Sequence, residues 1–173
     1  FKAPEDALVE KFKEASEEAG MGPTVFHGIY LCALGSQDPA LVERSIESLT
    51  NHLQTAERCA ALGVIFHPAS HRGVGFEAVL DQFVEGVNKV LDAAPGDALL
   101  MLENSAGAGD HIGSKFSELG EIIKRVGSER LHVCLDTQHA WAAGYELSKA
   151  EKLDEMLAEF DKEIGLDRLS AIH

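Results

Sequence analysis

The sequence predicts an α/β fold in which short parallel strands alternate with amphipathic helices, and three observations lead there. Five apolar runs, Val25-Phe26-His27, Val64-Ile65-Phe66-His67, Leu99-Leu100-Met101-Leu102-Glu103, Val133-Cys134-Leu135-Asp136 and Ser170-Ala171-Ile172-His173, each close on a residue that ligates metals well. The closing residues are 40, 36, 33 and 37 positions apart in turn, the length of a strand, a helix and two loops. The segments between them carry apolar residues at helical spacing. Parallel α/β folds keep their chemistry at the C-terminal ends of the strands, so three His, one Glu and one Asp are expected in one pocket.

Each element has its own signal. Residues 4–19 read as a helix with Glu5 and Asp6 at its positive end, Leu8, Val9, Phe12 and Ala15 on one face, and Gly20 and Gly22 closing it. After the strand ending on His27, Asp38-Pro39 opens a long helix. Leu41, Ile46, Leu49, Leu53, Ala56 and Ala60 recur along it at near-helical spacing, and Gly63 is its expected end. Phe76 to Ala93, Phe116 to Val126 and Lys149 to Ile164 give three more helices, each leading through a Gly or Pro-Gly break to the next strand. Phe12, Phe76, Phe83 and Phe116 sit at core spacing and are expected to pack rather than to stack on bases. Residues 1–173 are expected to form one domain. The near-period is the βα unit itself, since the helices do not resemble one another.

Composition bounds the function. With 173 residues, 45% hydrophobic and 25% charged, the chain can build one good core. No run approaches the roughly 18 apolar residues of a membrane span, and the N-terminal segment lacks a signal-peptide layout, so a cytoplasmic protein with no membrane partner is expected. Cys32, Cys59 and Cys134 are scattered with no C-x-x-C pair, which argues for reduced, buried fillers rather than a disulfide or thiolate zinc site. The net charge of −14 argues against binding nucleic acid through bulk electrostatics. Bound divalent ions would reverse that sign inside a pocket.

Four segments carry a resemblance: His27-Gly28-Ile29-Tyr30-Leu31, Phe66-His67-Pro68-Ala69-Ser70-His71, Leu102-Glu103-Asn104-Ser105-Ala106-Gly107-Ala108-Gly109, and Cys134-Leu135-Asp136-Thr137-Gln138-His139-Ala140-Trp141-Ala142-Ala143-Gly144-Tyr145. In this order they resemble the signatures of the endonuclease IV family, the zinc-dependent apurinic/apyrimidinic endonucleases. The resemblance implies a TIM-type (β/α)8 barrel. Such a barrel takes about 250 residues, so this chain is expected to hold five consecutive βα units of it, beginning inside the second helix and stopping on the seventh strand. It implies three Zn2+ per complete enzyme: His27 and His67 on one ion, Glu103 bridging to a second, Asp136 and His173 on the second, and His139 on the third. The second and third sites would be completed by an Asp-x-His pair and a Glu beyond these residues. Glu103 is the expected catalytic residue. Tyr30 and Leu31 match positions that enter the DNA helix near the lesion. The implied reaction is hydrolysis of the phosphodiester 5′ to an abasic site in double-stranded DNA, leaving a 3′-hydroxyl and a 5′-deoxyribose phosphate.

Several positions depart from the family pattern. Ala69 stands where Gly is usual, which is expected to be tolerated only if the backbone there avoids positive φ. Gln138, Trp141 and Ala33 replace the more common Cys, Phe and Asn. Glu103 and Asp136 end runs that should be buried, and an unpaired buried carboxylate is costly, which favours a metal for both. His52, His111 and His132 read as surface or structural residues, and His71 as either a phosphate contact or a loop residue. Gly107-Ala108-Gly109 needs only to be a turn. Two other readings are a sugar isomerase or epimerase on a related barrel, and a non-catalytic metal-binding or DNA-binding fragment. Five strands of eight leave two sheet edges through which self-association is expected.

Overall fold

The computed structural model describes residues 3–29 and 32–173. The elements run α1 (Asp6–Glu18), β1 (Val25–His27), α2 (Pro39–Arg58), β2 (Gly63–Phe66), α3 (Phe76–Ala93), β3 (Leu99–Glu103), α4 (Phe116–Val126), β4 (Leu131–Leu135), α5 (Thr137–Ala143), α6 (Ala150–Glu163), a 3-10 turn (Leu166–Arg168) and β5 (Leu169–Ile172). All four strand pairings are parallel, in the order β1-β2-β3-β4-β5. Five successive parallel strands joined by four helical crossovers, with one register shift at Val133/Cys134 against β5, are an arc of a (β/α) barrel.

Local chemistry sets the boundaries. The Asp38 carboxylate accepts the Ala40 N–H at 3.0 Å and Pro39 occupies the first turn, so α2 starts there. It ends at Arg58, earlier than Gly63, because Ala60 turns into the left-handed region at φ 52. Gly63 instead begins β2, where a Cβ would lie 2.1 Å from the Leu99 carbonyl oxygen. Only glycine allows β2 and β3 to approach so closely. The stretch after β4 folds into the short helix α5, which the apolar pattern alone does not announce.

Period-two alternation gives the strands two distinct faces. Phe26, Val64, Phe66, Leu100, Leu102, Val133 and Leu135 pack against the helices in the main core, with Leu49 and Leu53 of α2, Phe83 and Val87 of α3, Leu119 and Ile122 of α4 and Phe160 of α6. The opposite face carries Ile65, Met101 and Cys134, flanked by Val25, Leu99 and Ala171. His27, His67, Glu103, Asp136 and His173 each lie two positions beyond a residue of this second set and therefore on the same inner face. All three cysteines are free and buried, as expected. Phe83 and Phe116 are wholly buried and Phe76 packs against the same core.

At the other end of the strands, charged side chains fasten the returning loops by their backbone. Glu57 accepts the N–H groups of Asp97 (2.9 Å) and Ala98 (2.7 Å). Arg130 donates to the carbonyls of Ala94 (2.8 Å) and Ala98 (2.9 Å), and Arg168 to that of Ser128 (3.0 Å). Arg58 holds the Pro4 carbonyl at 2.8 Å. Each of these contacts joins neighbouring units. Among the described residues β1 and β5 each pair on one side only.

The Ala69 backbone does take a positive φ, 68°. The expectation that this position avoids the left-handed region is therefore corrected: an alanine stands where its Cβ is strained. Left-handed geometry costs an L-residue about 1–2 kcal/mol, partly offset by the greater freedom glycine loses on folding, about 0.4–1 kcal/mol. Ala69→Gly is expected to raise stability by about 0.5–1 kcal/mol in a denaturant titration. Gly120 tests the opposite case. A Cβ there would meet the Glu163 carbonyl oxygen at 2.1 Å, where α4 crosses the end of α6. Gly120→Ala is expected to lower stability by about 1–3 kcal/mol despite its better helix propensity.

Candidate metal centre

The parallel strands deliver their last inner-face residues to one place, and α5 adds His139. Glu103, with no solvent exposure, lies at the centre. Its Oε2 is 2.9 Å from His27 Nε2 and 3.6 Å from His67 Nε2, and its Oε1 is 3.0 Å from His173 Nδ1 and 3.5 Å from His139 Nδ1. Asp136 Oδ2 stands 3.4 Å from His173 Nδ1. All six residues expected in the metal site thus meet. Ligand atoms of His27, Glu103 and His173 lie within 4.8 Å of one another, as do those of His67, Glu103 and His139. These groupings cut across the expected pairing of His27 with His67, whose rings are nevertheless 5.2 Å apart.

Hydrogen bonds orient the donors. A backbone carbonyl can only accept, so His27 Nδ1–H donates to Gly28 O (2.9 Å) and His139 Nδ1–H to Asn104 O (2.9 Å). A neutral His27 then aims the lone pair of Nε2 at a carboxylate oxygen 2.9 Å away. Two acceptors at that distance need a proton or a cation between them. Imidazole and carboxylate are zinc-type donors, and a carbonyl holding the far nitrogen of each ring is the usual support of a metal-binding histidine. The donor set fits a divalent metal.

Asn104, to which the sequence reading gave no role, is what aligns β3 with β4 at the site. Buried beside Glu103, it accepts the Asp136 N–H at 2.6 Å and donates to the Asp136 carbonyl at 3.0 Å. Asp136 Oδ1 in turn caps α5 by accepting the His139 N–H at 2.7 Å. The cap fixes the spacing of Asp136 and His139. The signal in the sequence was a polar residue directly after a buried carboxylate in an apolar run.

Electrostatics separates the groups. Burial lowers the pKa of His67 below the ordinary imidazole value, even with Glu103 beside it. His173 is raised by its hydrogen bond to Glu103. Burial alone would push Asp136 up, but the His139 N–H and the nearby imidazoles outweigh it and hold the carboxyl below its usual range. Burial, with the Glu103 and Asp136 carboxylates nearby, pushes the Cys134 thiol up to about 12.

Among the described residues, three of the remaining histidines have side chains held by hydrogen bonds. His52 Nδ1–H donates to Ser48 O (2.6 Å) within α2. His132 Nε2–H donates to Glu129 O (3.1 Å) while Nδ1 accepts from Ser170 Oγ (2.6 Å). His71 Nδ1 accepts the Gly75 N–H at 3.2 Å, which makes it a loop-holding residue. His111 forms an isolated backbone bridge with Ser70. Tyr30 and Leu31, the expected DNA-entering residues, lie outside the described residues. Among the described residues no helix is long and apolar enough to cross a membrane.

Comparison with known proteins places this geometry. The chain is 40% identical over 174 residues to a probable endonuclease 4 of Halothermothrix orenii, covering 100% of this chain and 63% of that protein. It is 41% identical over 177 residues to a probable endonuclease 4 of Halorhodospira halophila, covering 99% and 58%. Among solved structures it superposes on endonuclease IV from Thermus thermophilus with a TM-score of 0.85 at 35% identity, over 99% of this chain and 60% of that one. A D-tagatose 3-epimerase-like protein, at TM-score 0.75 and 20% identity over 95% and 60% of the two chains, shares the fold alone. The chain spans about three fifths of the length of these curated relatives. A model of the xylose isomerase-like TIM barrel matches residues 1–173, and the chain belongs to that family.

Proposed function

We propose that the protein of which these residues are part is a zinc-dependent DNA-repair endonuclease that hydrolyses the phosphodiester 5′ to abasic sites in double-stranded DNA. One observation carries the reading: four imidazoles and the Asp136 carboxylate surround the fully buried Glu103 at the C-terminal ends of the strands. Its support is the similarity, over the whole chain, to proteins named endonuclease 4.

His27, His67, Glu103, Asp136, His139 and His173 are the proposed ligands of a three-zinc cluster. When bound, closely spaced divalent ions supply Lewis acidity toward a phosphodiester and activation of water. Glu103 is the proposed bridge, since its two oxygens face different imidazoles. Asp136 stays ionised through its helix-cap hydrogen bond and brings a second negative charge. His27 and His139 are held to one tautomer by the Gly28 and Asn104 carbonyls, which leaves Nε2 as the ligating atom. Tyr30 and Leu31 are the proposed contacts with the DNA around the lesion.

The test is incubation of the full-length protein with a duplex containing one abasic site. Cleavage to a 3′-hydroxyl and a 5′-deoxyribose phosphate, lost on chelation and restored by zinc, is expected. One Mn2+ per chain with epimerisation of a free sugar and no cleavage refutes the reading.

Metal content should follow pH. Imidazole must be neutral to ligate, so zinc affinity is expected to fall as pH drops through about 6.5. His173, raised by its hydrogen bond to Glu103, takes up a proton at higher pH than His67, lowered by burial. Zinc is therefore expected to leave in stages, with the ion held by His173 departing at the higher pH. Equilibrium dialysis from about pH 8 to 5 checks this, and an affinity flat over that range counts against histidine ligation. In the full-length protein Glu103→Ala is expected to cut cleavage by at least about a hundredfold while the apparent melting temperature of the chelated protein moves by only a few degrees.

A further inference from the structure

The register of β3 on β4 runs as far as Glu103, which lies opposite Cys134. Past that level β4 leaves the sheet to become α5, with Asp136 as its N-cap. On the β5 side the backbone itself spans the change of direction. The His173 N–H donates to the Leu135 carbonyl at 2.9 Å, and the Thr137 N–H to the His173 carbonyl at 3.0 Å. On the β3 side a side chain takes over that task, and it belongs to Asn104.

Every polar atom of Asn104 is spent on residues 134–139. Its N–H donates to the Cys134 carbonyl at 3.4 Å, and its own carbonyl accepts the His139 Nδ1–H at 2.9 Å. The amide oxygen accepts the Asp136 N–H at 2.6 Å while the amide nitrogen donates to the Asp136 carbonyl at 3.0 Å. That carbonyl also accepts the Ala140 N–H at 3.0 Å, so the clasp runs directly into the helix that carries His139. Asn104 is 2% exposed, which keeps water from standing in for these bonds. A planar group that donates and accepts at once is what a peptide offers, and asparagine is the shortest side chain that supplies one. Aspartate would set a carboxylate oxygen against the Asp136 carbonyl. Leucine would leave the buried Asp136 N–H without its acceptor, which is costly. None of these bonds reaches His27 or His67, and His27 is set instead by the Gly28 carbonyl.

We infer that Asn104 is a positioning residue of the metal centre: it sets Asp136 and His139 for the ions they bind, and the ion of His27 and His67 is independent of its side chain. The inference rests on the proposed function in taking these four residues as ligands. It adds that a side chain with no metal-binding role of its own divides the ligands into two groups of unequal dependence.

The test uses the full-length protein, stripped of metal and titrated with Zn2+ against a chelating indicator. A parallel titration with Co2+ reads the geometry around each ion from its visible absorption. Asn104→Leu is expected to hold one zinc step within about threefold of its wild-type affinity and to weaken the others about 10–100-fold. The Co2+ absorption is expected to keep the component of the undisturbed ion and to lose the others at matched metal concentration. Gln54→Leu removes a comparable amide clasp, from α2 to the Ala93 carbonyl at 2.8 Å, and is expected to leave every zinc step unchanged whatever its melting temperature. If Asn104→Leu does not fold, Asn104→Ser carries the same expectation, since a hydroxyl cannot reach both peptide groups of Asp136. Zinc steps that are all unchanged, or all weakened alike, overturn the inference and leave the proposed function standing. A wild-type protein that loads zinc and leaves an abasic duplex uncut overturns the proposed function, and the zinc steps still decide the role of Asn104. A wild-type protein that takes up no zinc overturns both.

Discussion

A carboxylate held wholly out of water among four imidazoles is the constraint from which the rest of this structure follows. Glu103 can lie there only because each neighbouring strand brings a compensating group to the same level. Each strand does so because the inner and outer faces alternate with period two, and a slip of one residue would send the ligand into the helix layer and a leucine into the site. The glycine at the start of β2, which lets the backbones of β2 and β3 close up, and the Asn104 clasp between β3 and β4 serve that register. Packing and chemistry are therefore set by one geometric condition.

The two faces of the sheet divide the work. The outer face and its helices form a continuous apolar core, from Phe66 and Phe83 to Phe116 and Phe160. The inner face is a thin apolar layer of Ile65, Met101 and Cys134 directly beneath the polar residues. That layer excludes water from below, so the electrostatic contacts of Glu103 act in a medium of low polarity. Asp136 caps α5 and faces His173 at once, which ties the position of His139 to the state of the neighbouring carboxylate.

Much of this was legible in the sequence. Apolar runs that end on ligating residues announced the strands, and the helices over 76–93 and 116–126 ran between turn residues that bounded them well. What escaped depended on contacts distant in sequence. Nothing local marks Asn104 as the partner of Asp136, 32 positions away. The positive φ of Ala69 was hidden because alanine does not advertise a left-handed turn as glycine does. The end of α2 falls a few residues before Gly63 because that glycine answers to a neighbouring strand rather than to its own helix. The grouping of imidazoles around Glu103 reflects where side chains lie in three dimensions, and spacing along the chain does not encode it.

The contacts at the opposite end of the barrel have a consequence for how such chains diverge. Glu57 and Arg130 seize only peptide N–H and C=O groups, which every residue but proline offers in full. A clasp of that kind reads the path of a loop and ignores its side chains. The returning loops can then drift in sequence while their length and course stay fixed, whereas each clasping residue is tied to a partner it recognises only by position. Relatives of this chain should therefore vary most in the grasped segments and least in the side chains that grasp them.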